Sequence, residues 1–310
     1  MYIFIVNPVA GKGKSKRIFS KIAASDIYKQ IVSSYYFTRY KGHAEKLVKQ
    51  IIEEQTIESM NGIIVIGGDG TIHEVANGLR DVRVPLSFIP GGSGNDFARG
   101  IGMKGNPLEI LERIVKQKET IPYWLGSYKV GQNKPRYFVN SIGFGFDAEI
   151  VKTANESFLK RLFNRINIGN LIYVVALIKV LFKFVPFTID IEVDEQRYTF
   201  HRCWMVVFGN HPFYGGGMKI IPDATVQSDY LSILVIHNVS KWKVLALFMT
   251  VFLGKHTKYK EVSLLKGMNM KVFSKEPTFY QVDGHNGSCK TVNIRKELSP
   301  VHILGDGTQK

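Results

Sequence analysis

Through its first 116 residues the chain alternates apolar strand-like runs with helix-like segments, and three of the strand ends pass directly into glycine-rich loops. Strands are expected over Tyr2–Val6, Val32–Phe37, Gly62–Ile66 and Leu86–Ile89. Helices are expected near Lys14–Ser25, over His43–Glu54 and Ile72–Leu79, and around Pro107–Lys116. Such alternation specifies a parallel sheet with crossover helices. In open sheets of this kind ligands bind in the crevice outside the carboxyl ends of the strands, so three loops there would converge on one site.

The first loop is Asn7-Pro8-Val9-Ala10-Gly11-Lys12-Gly13-Lys14-Ser15. Its glycines allow backbone N–H groups to approach an anion, and the lysines and the following helix N-terminus add positive potential. The spacing is not that of a Walker loop, and taken alone the segment reads equally as a structural turn. The second loop, Gly67-Gly68-Asp69-Gly70-Thr71, precedes a helix carrying His73, Glu74 and Asn77. A carboxylate among glycines does not attract phosphate, so Asp69 points to a magnesium ion or a proton acceptor beside phosphates. A helix-capping Asp-Gly turn would explain Asp69 but not the four small residues around it. The third loop is Pro90-Gly91-Gly92-Ser93-Gly94-Asn95-Asp96-Phe97-Ala98-Arg99. Here Ser93 can bond phosphate oxygens, Asn95 a base or sugar, and Asp96 can cap the next helix.

From Ser127 the texture changes to short β-rich runs: Tyr137–Ile142, Phe187–Val193, Cys203–Phe208, Leu231–His237, Met270–Phe273 and Thr278–Val282. That is the pattern of a mostly antiparallel sandwich or barrel. A boundary near Pro122–Gly126 follows, with helical insertions at about Glu156–Phe184 and Lys241–Lys255. At 310 residues, two domains are the natural division.

Lys and Arg total 41 against 26 Asp and Glu, a formal charge of +15, which favours a polyanionic partner. No zinc-ligand cluster or aromatic RNA-binding signature accompanies the charge, so nucleic acid is not expected. His43, His73, His201, His211 and His256 show no metal-ligand spacing and read as core or surface histidines, and Met218, Met268 and Met270 as packing residues. Cys203 and Cys289 form no CxxC pattern and read as buried strand residues of a protein in a reducing compartment, the cytoplasm. The apolar start reads as a first strand rather than a signal peptide. Leu171–Val185 is interrupted by Lys179 and Lys183 and falls short of the roughly 20 residues of a spanning helix. Lys160, Arg161, Arg165, Lys179 and Lys183 among apolar residues, and Lys241, Lys243, Lys255, Lys258 and Lys260 beside Trp242, Phe248 and Phe252, suit an anionic membrane surface or packing on the sandwich.

Gly67-Gly68-Asp69-Gly70-Thr71 with Glu74 and Asn77-Gly78-Leu79, followed by Pro90-Gly91-Gly92-Ser93-Gly94-Asn95-Asp96-Phe97-Ala98-Arg99, resembles the bacterial diacylglycerol kinase and sphingosine kinase superfamily. The resemblance extends through Asn7-Pro8, Asn140–Asp147, Asn210 and Gly215-Gly216-Gly217 to Val282-Asp283-Gly284. It implies an α/β nucleotide-binding domain resembling phosphofructokinases over residues 1–124, with a tail of about 296–310 returning to it, and a β-sandwich over 125–295. It implies ATP in the cleft, contacted by Asn7, Pro8, Val9, Ala10, Gly11, Thr38, Gly67, Gly68, Asp69, Gly70, Thr71, Glu74, Ser93 and Asn95. It also implies a structural magnesium ion held by Asp229 and the carbonyls of Val226 and Leu231.

For catalysis the family uses an acidic residue of an Asp-Gly-Glu motif, here Asp283-Gly284-His285. Asp283 would take the lipid hydroxyl proton, with His285 beside it and Asp69 and Asp96 positioning magnesium and water. Three departures stand out: His285 in place of Glu, Trp124 where Gram-positive diacylglycerol kinases carry Asp, and Tyr230 and Ser232 within the usual Asp-Gly-Leu-Asp run. The expected function is thus ATP- and Mg2+-dependent phosphorylation of a membrane lipid hydroxyl by a peripheral membrane enzyme, with a homodimer through a sandwich edge open. The rivals are an NAD kinase, which shares Gly-Gly-Asp-Gly-Thr but not the third loop, and a nucleotide- and lipid-binding protein without turnover.

Overall fold

The computed structural model describes residues 1–80, 82–116, 120–156 and 177–305. Four parallel strands, β1 (Tyr2–Val6), β2 (Ser33–Phe37), β3 (Gly62–Gly67) and β4 (Leu86–Pro90), lie in the order β2-β1-β3-β4. Alternate residues of the central β1 and β3 enter two different cores, which is why these two strands are apolar without interruption, whereas the edge strand β2 is half-buried. Ile3, Ile5, Ile63 and Val65 pack under α3 (His43–Glu54) and α4 (Asp69–Gly78). Phe4, Val6, Ile64 and Ile66 pack under α1 (Ala10–Ala23) and α6 (Pro107–Lys116). Each such fully buried side chain contributes roughly 1.5–3 kcal/mol. Two short helices, α2 (Asp26–Gln30) and α5 (Asp96–Gly100), complete the layer.

The first turn of α1 is not helical: Gly11, Lys12 and Gly13 stand at φ of 56°, 57° and 82°, and regular geometry begins after them. Because β2 and β3 lie on opposite sides of β1, the chain reverses direction between β1 and β3, and a crevice opens at their carboxyl ends.

After β5 (Thr120–Tyr123) the chain enters an antiparallel domain. Its strands are β6 (Gly126–Val130), β7 (Arg136–Phe138), β8 (Ser141–Gly145), β9 (Phe187–Val193), β10 (Gln196–Gly209), then β13 (Leu231–His237), β14 (Val262–Gly267), β15 (Asn269–Val282) and β16 (His285–Lys296). A small hairpin of β11 (Phe213–Tyr214) and β12 (Met218–Lys219) stands apart. The ladder runs β14-β13-β10-β8-β15-β16-β6-β7, and β9 joins β10 to β15, folding the sheet over a core that includes Phe144, Val206, Phe208 and Ile233. A second core, with Trp204, Val207 and Leu234, is covered by α7 (Phe146–Glu156), the helical residues 177–183 and the helix Lys241–Val251. The final strand, β17 (Val301–Leu304), returns to the first sheet, parallel to β4 and antiparallel to β5. There the Ser87 hydroxyl donates to the Leu304 carbonyl at 2.9 Å.

Three differences from the sequence reading are instructive. The strand expected over Tyr137–Ile142 is split between β7 and β8, because the N–H groups of Val139 and Asn140 turn to a side chain, Asp283, instead of a neighbouring strand. The two strands expected over Met270–Phe273 and Thr278–Val282 are one, β15, with an irregularity between Phe273 and Thr278. Strand β16 escaped the sequence reading because its first half, His-Asn-Gly-Ser, carries almost no apolar residues. It holds Cys289, which is half-buried, whereas Cys203 is fully buried. Most of the expected insertion at Glu156–Phe184, including Lys160, Arg161 and Arg165, lies outside the described residues.

Candidate active site

The three glycine loops meet. A Cβ on Gly11 would sit 2.1 Å from the Gly91 carbonyl oxygen, and one on Gly92 would sit 2.5 Å from the Gly68 Cα. Backbone approaches this close exclude any side chain, so these glycines serve the convergence of the loops. Across the crevice the Asn7 amide donates to the Thr71 hydroxyl at 3.0 Å, tying the end of β1 to the start of α4. Pro8, Val9 and Ala10 continue this rim, with Val9 exposed, and Gly67 packs on Thr71. The left-handed run Gly11-Lys12-Gly13 lets the loop turn tightly before the helix, with the Gly13 N–H donated to the Val9 carbonyl at 3.4 Å. Thr38 follows β2 and donates its N–H to the Val6 carbonyl at 2.9 Å. Ser93 lies exposed at the tip of the third loop.

Asp69 and Asp96 flank Gly94. A Cβ there would come within 2.9 Å of Asp69 Oδ2, 3.8 Å of Asp96 Oδ2 and 3.9 Å of the Gly216 Cα. Asp69 Oδ1 accepts the Phe97 N–H at 2.9 Å and the Asn140 amide at 3.1 Å. Asp96 accepts from Arg99 and from the Gly216 N–H, at 2.9 and 2.8 Å. Burial raises both acids above the ordinary carboxylate range, and for Asp96 the neighbouring Asp69 charge adds to it.

Asp283 occupies the two-residue turn between β15 and β16, where Val282 pairs with His285 and both Asp283 and Gly284 have positive φ. Asp-Gly suits that hairpin turn, since both central residues must be left-handed. Its side chain is 0 % exposed. Oδ1 accepts the N–H groups of Asn140 and Ser141, at 2.9 and 3.2 Å. Oδ2 accepts the Val139 N–H at 2.8 Å and lies 2.9 Å from His73 Nδ1. A carboxylate offers about four lone-pair sites, and all four are occupied. His285 stacks on His73 with ring centroids 4.8 Å apart. Burial, then the neighbouring His73, push His285 down to about 3, so its ring is neutral and weakly basic at physiological pH.

Other expected contacts are directed elsewhere. Glu74 was read as a nucleotide contact, but its Oε1 and Oε2 accept the Gly42 and Ala44 N–H groups at 2.7 and 3.1 Å, capping α3. Asn95 was read as reaching base or sugar, yet both ends of its amide bond the Gly92 backbone at 2.9 Å, closing its own loop. The Trp124 indole donates to the Leu298 carbonyl at 3.2 Å. Asp229 stands exposed with the Ser228 hydroxyl on Oδ1, while the Lys266 ammonium donates to the neighbouring Tyr230 hydroxyl at 2.8 Å. Of the expected magnesium set Val226, Asp229 and Leu231, Asp229 alone supplies a carboxylate. No group of three or more acidic, histidine or cysteine side chains gathers as a metal centre among the described residues.

The sequence named Asp69, His73 and Asn77 separately but not the face they share, and it gave Lys296 no role. Asp69, His73 and Asn77 form a polar stripe at four-residue spacing on a helix otherwise buried in apolar contacts. That stripe docks on the 137–140 segment, with Asn77 exchanging hydrogen bonds with the Tyr137 backbone at 3.0 and 2.9 Å. Behind it, Lys296 is fully buried and donates to Asn210 Oδ1 at 2.6 Å and the Trp124 carbonyl at 3.0 Å.

Comparison with known proteins agrees with this architecture. Residues 1–125 match the diacylglycerol kinase catalytic domain, and residues 140–304 match the YegS C-terminal NAD kinase beta sandwich-like domain. YtlR of Bacillus subtilis (strain 168), which carries a provisional lipid-kinase name, is 35% identical over 307 residues, covering 97% of this chain and 98% of that protein. The diacylglycerol kinase of Staphylococcus carnosus (strain TM300) is 25% identical over 292 residues, covering 94% and 90%. A solved diacylglycerol kinase from Bacillus anthracis str. Sterne superposes with a TM-score of 0.69 at 20% identity, covering 98% of this chain and 96% of that one. With both halves of the fold matched, and the glycine loops and paired carboxylates at their junction, the chain belongs to the diacylglycerol kinase family and is a lipid kinase.

Proposed function

We propose that the protein transfers the γ-phosphoryl group of ATP, with Mg2+, to the hydroxyl of a membrane lipid such as diacylglycerol. The observation that carries this reading is the pairing of Asp69 and Asp96 around Gly94 where the three glycine loops meet. Two buried carboxylates raised by desolvation suit Mg2+, which takes one or two carboxylates together with substrate phosphates. Asp69 and Asp96 would hold the ion, and it would offset charge on the transferring phosphoryl oxygens. The Gly11–Gly13 loop and its lysines would bind the phosphates, together with Ser93 of the third loop.

We assign Asp69, whose Oδ2 faces Gly94, to the acceptor hydroxyl, and Asp283 to the frame behind it. A carboxylate with all four lone pairs engaged takes a proton only by giving up one of those bonds. Phosphoryl transfer is mainly positioning and charge stabilisation, so a precise frame counts for more than a strong base.

The acceptor side of the reading rests on an exposed apolar face. Trp242, Met249 and Leu253 are 72%, 71% and 68% exposed, and Trp242 packs edge-on to Phe182. Lys179, Lys183, Lys241, Lys255, Lys258 and Lys260 lie on the same two segments of chain, each adding about 1 kcal/mol of attraction where it comes close to an anionic bilayer. No helix among the described residues is long and apolar enough to cross a membrane.

The test is Mg-ATP turnover in mixed micelles with diacylglycerol, phosphatidylglycerol, sphingosine, NAD or no acceptor, with products identified by mass spectrometry. A phosphorylated lipid supports the proposal and names the substrate. Phosphorylated NAD, or ATP binding without product, overturns it.

A further inference from the structure

Every polar group of Asn140 is engaged, and in four different directions. Its N–H goes to Asp283 and its carbonyl accepts the Asn210 N–H at 2.9 Å. Its side-chain amide lies between Asp69 Oδ1 at 3.1 Å and His211 Nε2 at 2.9 Å. An amide can be turned either way, and only one orientation offers a donor to the Asp69 carboxylate. His211 decides which. Its Nδ1 lies 3.2 Å from the Phe213 backbone nitrogen, and a backbone N–H can only donate. Nδ1 is therefore the bare nitrogen and Nε2 carries the proton, so Asn140 must present its oxygen to His211 and its NH2 to Asp69. The ring is held fast, because α5 packs flush against it: a Cβ on Gly100 would fall 2.2 Å from His211 Cδ2. Burial pushes the imidazole down to about 4, so the ring stays neutral and the direction of the chain does not reverse near neutral pH.

We propose that His211 is a positioning residue for phosphoryl transfer: through Asn140 it directs an amide donor onto Asp69 Oδ1 and so fixes the carboxylate with Oδ2 toward Gly94 and the crevice. This rests on the kinase reading of Asp69. With a side chain that cannot donate at that place, the Asn140 oxygen loses its partner, the amide is held from one end only, and Asp69 loses the fixed donor that orients it.

The experiment compares His211→Phe with His211→Gln, whose amide nitrogen can donate from the position of Nε2. Lipid kinase kinetics and melting temperature are measured for both, and long-range 1H–15N spectra are recorded on the wild type. His211→Phe is expected to lower kcat at least 10-fold while KM for ATP stays within twofold, and His211→Gln to recover kcat to within threefold of wild type. The spectra are expected to show His211 protonated on Nε2. Wild-type kcat in the Phe variant, a Gln variant no better than Phe, or the opposite tautomer overturns the proposal. The tautomer decides even where a variant fails to fold. A wild type that phosphorylates no lipid sinks the kinase reading itself, which is a separate result from an active wild type insensitive to position 211.

Discussion

Replacing Asp283 by Ala separates a scaffold from a base. The substitution leaves the N–H groups of Val139, Asn140 and Ser141 and the His73 ring without their acceptor, at a place where the Asp283 side chain is 0 % exposed. A buried donor left unsatisfied costs about 1–3 kcal/mol, so the three backbone groups alone come to about 3–9 kcal/mol. Local relaxation and entering water lower that sum, and losses above 4–5 kcal/mol are exceptional, so we take about 4 kcal/mol. At about 2–4 °C per kcal/mol for a domain of this size, Tm should fall by about 8–16 °C. Circular dichroism melts with and without ATP would measure it, alongside turnover on the lipid that the wild type phosphorylates. Activity is expected to fall as well, because Asn140 loses its anchor, so the melt is what discriminates. A variant melting within about 2 °C of wild type yet devoid of turnover would refute the scaffold argument and return Asp283 to the role of proton acceptor.

Gly92→Ala should lower kcat/KM for ATP about 100-fold, since its Cβ meets the Gly68 Cα at 2.5 Å and must drive two phosphate loops apart; steady-state kinetics at varied ATP would show it. Glu74→Gln keeps one acceptor for α3 and loses the other with its charge, costing about 1–2 kcal/mol of stability. KM for ATP should not change, whereas a nucleotide contact at Glu74 would raise it. Lys296 is pushed by burial from 10.5 to about 7, so between those pH values the unfolded chain holds a proton that the folded one lacks. Stability therefore rises with pH through that window and is lost as pH falls towards 7, by up to about 2 kcal/mol between pH 9 and pH 7. Urea midpoints at the two pH values should differ in the wild type and not in Lys296→Met.

The fold class could be read from the sequence because its signals are local. An uninterrupted run such as Ile63-Ile64-Val65-Ile66 needs cover on both faces, and the glycines of each loop are neighbours in the chain. The interior of the site was not legible in the same way. Asp283 meets His73 across 210 positions and Val139 across 144, and nothing in the sequence around Asp283 announces three waiting backbone donors. Glu74 and Asn95 show the same limit. Glu74 was expected to contact the nucleotide and Asn95 a base or sugar, while in the structure the backbones of Gly42 and Gly92 engage their side chains. One clue was available: an Asp69-His73-Asn77 stripe on a helix with eight buried residues marks a face that must dock on polar backbone. The burial that makes His285 a poor base, by contrast, depends on His73 and on elements packed from both domains.

Strand β17 gives the protein a fixed order of completion. The outer edge of β4 is covered by residues made roughly 210 positions later, after the whole sandwich, so at about 5–20 residues per second it waits about 10–40 s on the ribosome. An apolar strand with an open edge is an invitation to mispair with other chains. The half of the molecule that carries the glycine loops thus reaches its finished form only when the other half already exists, and no nascent chain holds a complete crevice without the sandwich beside it.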